Sequence, residues 1–240
     1  MKIETANSYD ELSLKAKNLV IGEIEKNKRL LLCTATGSSP TGMYRQLCTE
    51  FQANPGLFDQ LRIIKLDEWG GVAMDQPGTC EMYLRQNLLQ PLQIPESRYT
   101  GFNSNPKNPV LECQRIQDRL NAEGPIDLCI LGIGLNGHLA FNEPASYLQP
   151  FCHVAELSEM TLQHAMASKM NFKPGYGFTL GMADILHSKM ILILITGKEK
   201  REIVQKFLSK KVSSSVPASF LWIHPNVHCL VTKDALDETI

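Results

Sequence analysis

Three stretches of the chain hold residues whose types and spacing could do chemistry. Asp67-Glu68 closes an apolar run, and a paired acid in that position can supply a general base. The same pair would also serve as a helix cap or a solvated acidic turn. His138 and Glu143 follow Gly132-x-Gly134-x-x-Gly137. A histidine and a carboxylate beside a glycine-rich turn can work as an acid–base pair, or be a core histidine with a capping glutamate. Gly37-Ser38-Ser39-Pro40 joins an apolar run to a helical stretch. Backbone N–H groups and hydroxyls at a helix N-terminus suit phosphate, although such turns also arise for purely structural reasons.

Two tempting motifs are set aside. The glycine pattern at 132–137 matches the dinucleotide fingerprint, which needs a helix packed behind its third glycine. Here His138-Leu-Ala-Phe-Asn-Glu-Pro144 follows, broken too soon by proline. These glycines, Gly137 among them, are read as letting the backbone approach a small anion. His224 and the pair His228-Cys229 have metal-ligand types. Pro225 follows His224, and neighbours on a strand face opposite sides, so a structural role is expected and no metal site.

Elements must carry these residues to one place. Ser8-x-x-Glu11 is a capping box opening a helical stretch with Leu12, Ala16, Leu19, Val20 and Ile24. Short apolar runs at 30–34, 61–66, 126–131, 189–195 and 227–231 read as strands. Helical patterns at 41–48, 81–89, 109–121 and 198–208 alternate with them. Strands apolar on both faces, alternating with helices, predict a doubly wound, mostly parallel α/β sheet with helices on both faces, Rossmann-like, in a single domain. Ligands in such folds sit beyond the C-terminal ends of the strands, where the candidate residues fall. Asn171-Phe-Lys-Pro-Gly-Tyr-Gly177 interrupts a weakly periodic region. Residues 160–177 are therefore a candidate lid.

The 24 basic and 25 acidic side chains leave a net charge of -1, which argues against nucleic-acid and membrane-surface partners. Seven scattered cysteines without a CxxC pair read as reduced thiols. The N-terminus lacks the apolar core of a signal peptide, and the run 190–195 is too short to span a bilayer. A cytoplasmic location is expected.

Taken together, ATGSSPTGMY (35–44), KLDEWGG (65–71), LGIGLNGHLAFNEPAS (131–146), FTLGMADIL (178–186) and ILITGKEK (193–200) resemble the glucosamine-6-phosphate deaminase/isomerase family. That family belongs to a wider group with the 6-phosphogluconolactonases, whose pattern usually differs after the histidine. PGTCE (77–81), LNGHL (135–139), SYLQPFCH (146–153) and KVSSSVPASFLWIH (211–224) look most like the galactosamine-6-phosphate isomerase/deaminase branch.

The resemblance implies roles. His138 would promote opening of the sugar ring, supported by Glu143. Asp67 would take the C2 proton of the open-chain sugar. Reprotonation at C1 would move the carbonyl to C2, where hydrolysis would release ammonia, so the chain is expected to be a hydrolase as well as an isomerase. Gly37, Ser38, Ser39, Gly137, His164 and Lys200 would bind substrate or its 6-phosphate. No cofactor is implied. The expected product of galactosamine 6-phosphate is tagatose 6-phosphate.

The chain departs from the pattern in three places. Asn136 stands where the deaminases commonly have Asp, which shifts the burden of activating His138 to Glu143. His164 falls where the glucosamine enzymes have an arginine. His153 and Ala155 fall where the hexameric enzymes have basic effector-binding residues, so no activation by N-acetylglucosamine 6-phosphate is expected. The chain also ends soon after its last strand, and a monomer or small homo-oligomer is expected. Alternatives are glucosamine 6-phosphate as substrate, a 6-phosphogluconolactonase, or a sugar-phosphate-sensing regulatory domain. The last would need a DNA-binding module that the sequence does not show.

Overall fold

The computed structural model describes residues 1–163, 166–171 and 173–236. Its centre is a seven-stranded sheet, every pair parallel, in the order β1-β10-β9-β6-β2-β3-β5. These strands are β1 (Lys2–Ala6), β2 (Leu31–Thr34), β3 (Arg62–Lys65), β5 (Tyr99–Thr100), β6 (Leu128–Leu131), β9 (Met190–Ile195) and β10 (Val227–Thr232). The doubly wound reading holds.

Side chains alternate across a strand, so each strand feeds two cores. Cys33, Ile64, Cys129, Leu131, Ile191 and Ile193 share one face. There they meet Cys113, Ile116 and Leu120 of α4 (Pro109–Glu123) and Ile203, Val204 and Phe207 of α7 (Arg201–Leu208). Leu32, Ile63, Leu128, Ile130, Leu192 and Leu194 share the other face. They meet Leu12, Ala16, Val20 and Ile24 of α1 (Tyr9–Lys26) and Met43, Tyr44 and Leu47 of α2 (Ser38–Ala53). Helices on both faces explain why the strands carry no solvent-facing polar alternation.

The capping signals hold locally. Ser8 Oγ accepts from Glu11 N at 3.2 Å, while the Glu11 carboxylate accepts from the backbone N–H of Asn7 at 2.8 Å rather than from Ser8.

Sequence reading missed a second sheet. β4 (Asp67–Gly70), β7 (His153–Ala155) and β8 (Tyr176–Thr179) form a three-stranded antiparallel sheet in the order β4-β8-β7. Asp67-Glu68 is therefore not a turn but the start of a buried strand, with Asp67 paired to Thr179. Tyr176 and Gly177, the last two residues of the candidate lid 160–177, belong to β8. The helical stretch at 81–89 begins one residue earlier, as α3 (Cys80–Leu84), and continues as a wider turn over Arg85–Leu89. Among the described residues the remaining α-helices are α5 (Glu159–Leu162) and α6 (Met182–Leu186). Among the described residues no helix is long and apolar enough to cross a membrane.

Candidate active site

A cavity of about 390 Å³ opens at the C-terminal edge of the central sheet. Residues 35–40 beyond β2, Leu66 and Asp67 beyond β3, and 132–135 with His138 beyond β6 line it. Lys200, at the start of α7, completes the rim. Met160, Thr161, Gln163 and Met166 contribute from the candidate lid. The volume suits a small-molecule ligand.

Asp67 is buried, with 8% of its surface exposed. Burial, together with the charge of Glu68, pushes its carboxyl up to about 7; Cys80 and Lys65 oppose the shift. A carboxyl so placed exchanges protons near neutrality.

Behind Asp67 lies a buried ionic cluster. Lys65 Nζ donates to Glu68 Oε2 and Glu81 Oε2, each at 2.7 Å, and to the Phe102 carbonyl at 3.1 Å. Lys65 and Glu68 are fully buried. Burial works against the ammonium, but the charges of Glu68 and Glu81 outweigh it and hold Lys65 above the ordinary lysine range. Glu68 is the hub, for it also accepts the backbone N–H groups of Trp69, Cys80 and Glu81 at 2.8, 2.9 and 2.8 Å.

His138 lines the cavity while Asn136 and Glu143 stand behind it. His138 Nδ1 lies 3.4 Å from Glu143 Oε2 and 3.4 Å from Thr161 Oγ1. Glu143 is held from three sides, by Asn136 Nδ2 at 2.7 Å, Thr161 Oγ1 at 2.5 Å and Ser158 Oγ at 3.2 Å. Burial would raise its carboxyl. The hydrogen bond and charge of His138, with Thr161 and Asn136, outweigh burial and bring it down to about 2. Asn136 closes the loop by accepting from His138 N at 3.1 Å through Oδ1. A Cβ on Gly134 would lie 2.3 Å from the His138 ring, so glycine at 134 is what lets the imidazole occupy its place.

Across the cavity, Gly37 with φ of 110° turns the chain into α2, so that Ser38 and Ser39 open that helix. The first N–H groups of a 16-residue helix thus border the cavity beside two hydroxyls. Ser39 Oγ is 3.1 Å from Thr196 Oγ1. Lys200 Nζ donates to the Ile133 carbonyl. Its ammonium is lowered by burial, opposed by Glu199.

Of the residues singled out by sequence, Asp67, His138, Gly37, Ser38, Ser39 and Lys200 line one cavity, with Asn136 and Glu143 in direct support. Gly137 is not among the residues lining this cavity; its φ is 91°, its carbonyl accepts from Ala218 N, and a Cβ there would press on Ile203 and Val216, so it shapes the loop that carries His138. His164 lies outside the described residues. His224 is spent on structure: its Nε2 pairs with the Ser188 carbonyl at 2.8 Å. Among the described residues no group of three or more His, Cys, Asp or Glu could hold a metal ion.

Cys80, Trp69, Ser158 and Thr161 escaped the sequence reading. Ser158 caps α5 by accepting from Thr161 N, a contact within one turn, whereas its contact with Glu143 spans 15 residues. Cys80 follows the capping Thr79, and its sequence context marks it only as one of seven reduced thiols.

Residues 5–230 match the family model for glucosamine-6-phosphate isomerases/6-phosphogluconolactonase. A protein of Escherichia coli (strain K12) provisionally named deaminase AgaI is 38% identical over 229 residues, covering 95% of this chain and 91% of its own. The glucosamine-6-phosphate deaminase of Geobacillus sp. (strain WCH70) is 35% identical over 238 residues, covering 98% and 95%. The structure of a monomeric glucosamine-6-phosphate deaminase superposes with a TM-score of 0.91 at 34% identity, covering 98% of each chain.

These relatives overturn the expectation of a hydrolase, since all three, at 34–38% identity, carry deaminase names. The 6-phosphogluconolactonases, which are hydrolases, align at 16–23% identity and show a common fold alone. Matched over most of its length by the family model and by relatives above 30% identity, the chain belongs to the glucosamine-6-phosphate isomerase/6-phosphogluconolactonase family.

Proposed function

We propose that the chain isomerises and deaminates a 2-amino-2-deoxyhexose 6-phosphate, with galactosamine 6-phosphate as its substrate and tagatose 6-phosphate and ammonia as products. One observation carries the reading. A buried carboxyl poised near neutrality, Asp67, shares a cavity with a histidine backed by an ionised glutamate. The relatives named as deaminases support the reaction class.

The 6-phosphate sits at the start of α2, against Ser38, Ser39 and the backbone after Gly37, with Lys200 as the point charge. His138 moves a proton between the C1 hydroxyl and the ring oxygen, opening the sugar to its aldehyde. Glu143 stabilises the imidazolium that this creates. Asn136 does not meet the imidazole ring; it orients Glu143, which takes over the role of a carboxylate at 136. The C2 proton, acidified by the C1 carbonyl, goes to Asp67. Its return to C1 leaves an imine at C2, where water replaces nitrogen and ammonia departs. Met160, Gln163 and Met166 form the part of the lid that shields these steps from bulk water.

The galacto assignment rests on segments 77–81, 135–139, 146–153 and 211–224. It is favoured further by the relative not named for glucosamine, which is 38% identical against 35% for the Geobacillus enzyme. A monomer is proposed from the likeness to a monomeric deaminase.

The test is ammonia and ketose release from the two epimeric hexosamine 6-phosphates, with Asp67→Asn as control. A higher kcat/KM for galactosamine 6-phosphate, abolished by the substitution, is expected. A higher value for the glucosamine epimer reverses the sugar assignment, and no ammonia from either overturns the function.

A further inference from the structure

Cys80 lines the cavity, yet none of the steps above uses it. Its Sγ lies 3.7 Å from Asp67 Oδ1, within reach of a sulfur hydrogen bond, and 3.3 Å from Thr36 Oγ1. Burial, reinforced by the charges of Glu68 and Asp67, pushes the thiol well above its ordinary range, so it stays a donor. A thiol has one proton. If Thr36 donates its hydroxyl to the sulfur, the S–H is left for the carboxylate.

The backbone around this contact is pinned. Glu68, next to Asp67 on β4, accepts the N–H groups of Cys80 and Glu81, and Lys65 bridges Glu68 and Glu81. The first turn of α3 therefore cannot drift from the strand that carries Asp67. Thr79 secures the same turn by accepting from Met82 N at 3.2 Å.

We infer that Cys80 is a positioning residue for Asp67, its thiol held by Thr36 and by the anchorage of α3 on Glu68 so that it orients the carboxylate in its ionised form. The inference rests on the proposed function for its catalytic meaning, but the contact itself does not. Other titratable or charged groups also face Asp67: Glu68 on its own strand, Lys65 from β3, Cys33 from β2 and Tyr44 from α2. His138 and Lys200 stand around the same cavity. All of these stay in place when only the thiol is removed.

The experiment is a titration of the Asp67 carboxyl by carbon-13 NMR, assigned with Asp67→Asn, in the wild type, Cys80→Ala, Cys80→Ser and Thr36→Val. Losing one weak donor to a charged group predicts a midpoint raised by about half a unit to one unit in Cys80→Ala. Thr36→Val should give a smaller rise, and Cys80→Ser should restore the wild-type value or fall below it. The acid limb of kcat/KM should move with the midpoint while KM changes little. Midpoints unmoved in Cys80→Ala and Thr36→Val overturn the inference. If Cys80→Ala does not fold, the Thr36→Val midpoint decides in the same way. Because the titration needs no substrate, a protein that releases no ammonia but shows the shifts loses the proposed function and keeps this contact.

Discussion

Asn136 Nδ2 donates to Glu143 Oε2 at 2.7 Å, and its Oδ1 accepts from the backbone N–H of His138. One amide thus fixes the carboxylate behind the imidazole and the loop that presents the imidazole. Asn136→Ala frees both. A hydrogen bond to a charged group is worth about 1.5–3 kcal/mol, so kcat should fall roughly tenfold to a hundredfold. KM should change little, since Asn136 does not line the cavity. Steady-state kinetics on either hexosamine phosphate checks this.

If Asp67 is the base, as proposed, it sets the pH dependence: it must be ionised, so kcat/KM should rise with pH through an acid limb centred near the carboxyl's value of about 7. Asp67→Asn should lower kcat by roughly 10²–10⁴-fold. Its effect on stability has the opposite sign. The folded carboxyl holds its proton to a higher pH than the unfolded one, at about 3.9. Wild-type stability is therefore lost as pH rises from about 4 to about 7. The advantage of Asp67→Asn in Tm should grow across that window and level off above it. An advantage that does not vary with pH contradicts the assignment.

Gly134 tests the placement of His138. In Gly134→Ala the new Cβ would lie 2.3 Å from the ring, and the ring must move. A displaced reacting group costs on the order of 100-fold in rate. The expected result is that loss in kcat with an unchanged circular dichroism spectrum. Full activity would mean that the imidazole can be used from another position.

Lys65 bridges Glu68 and Glu81 in a buried cluster, and Arg85 Nε pairs with Glu81 Oε1 as well, at 2.7 Å. Lys65→Met leaves the buried Glu68 without its cation, and breaking a buried pair in this way costs about 3–5 kcal/mol. Urea unfolding should show a midpoint lowered accordingly.

The chain's local grammar was legible without coordinates. Apolar runs of both-face character marked β2, β6, β9 and β10, because a strand covered on both sides has no polar alternation to show. Ser8 marked the start of α1, because a cap is satisfied within one turn. Asp67 and His138 could be singled out as candidates because strand ends of such a sheet converge on one edge, whereas Lys200 entered only through the family resemblance.

Only the tertiary structure decided the rest. That Asp67-Glu68 forms a strand depends on β8, over 100 residues later, supplying the ladder. That Gly137 shapes a loop and Gly134 seats a ring could not be told from their identical residue type. Glu143 meets Thr161 and Ser158, and Asp67 meets Cys80, across separations no local pattern encodes. Sequence by itself determined which groups can exchange protons, since that is a property of residue type. Which of them do so near neutrality follows from burial and neighbours, and those exist only once the chain is folded.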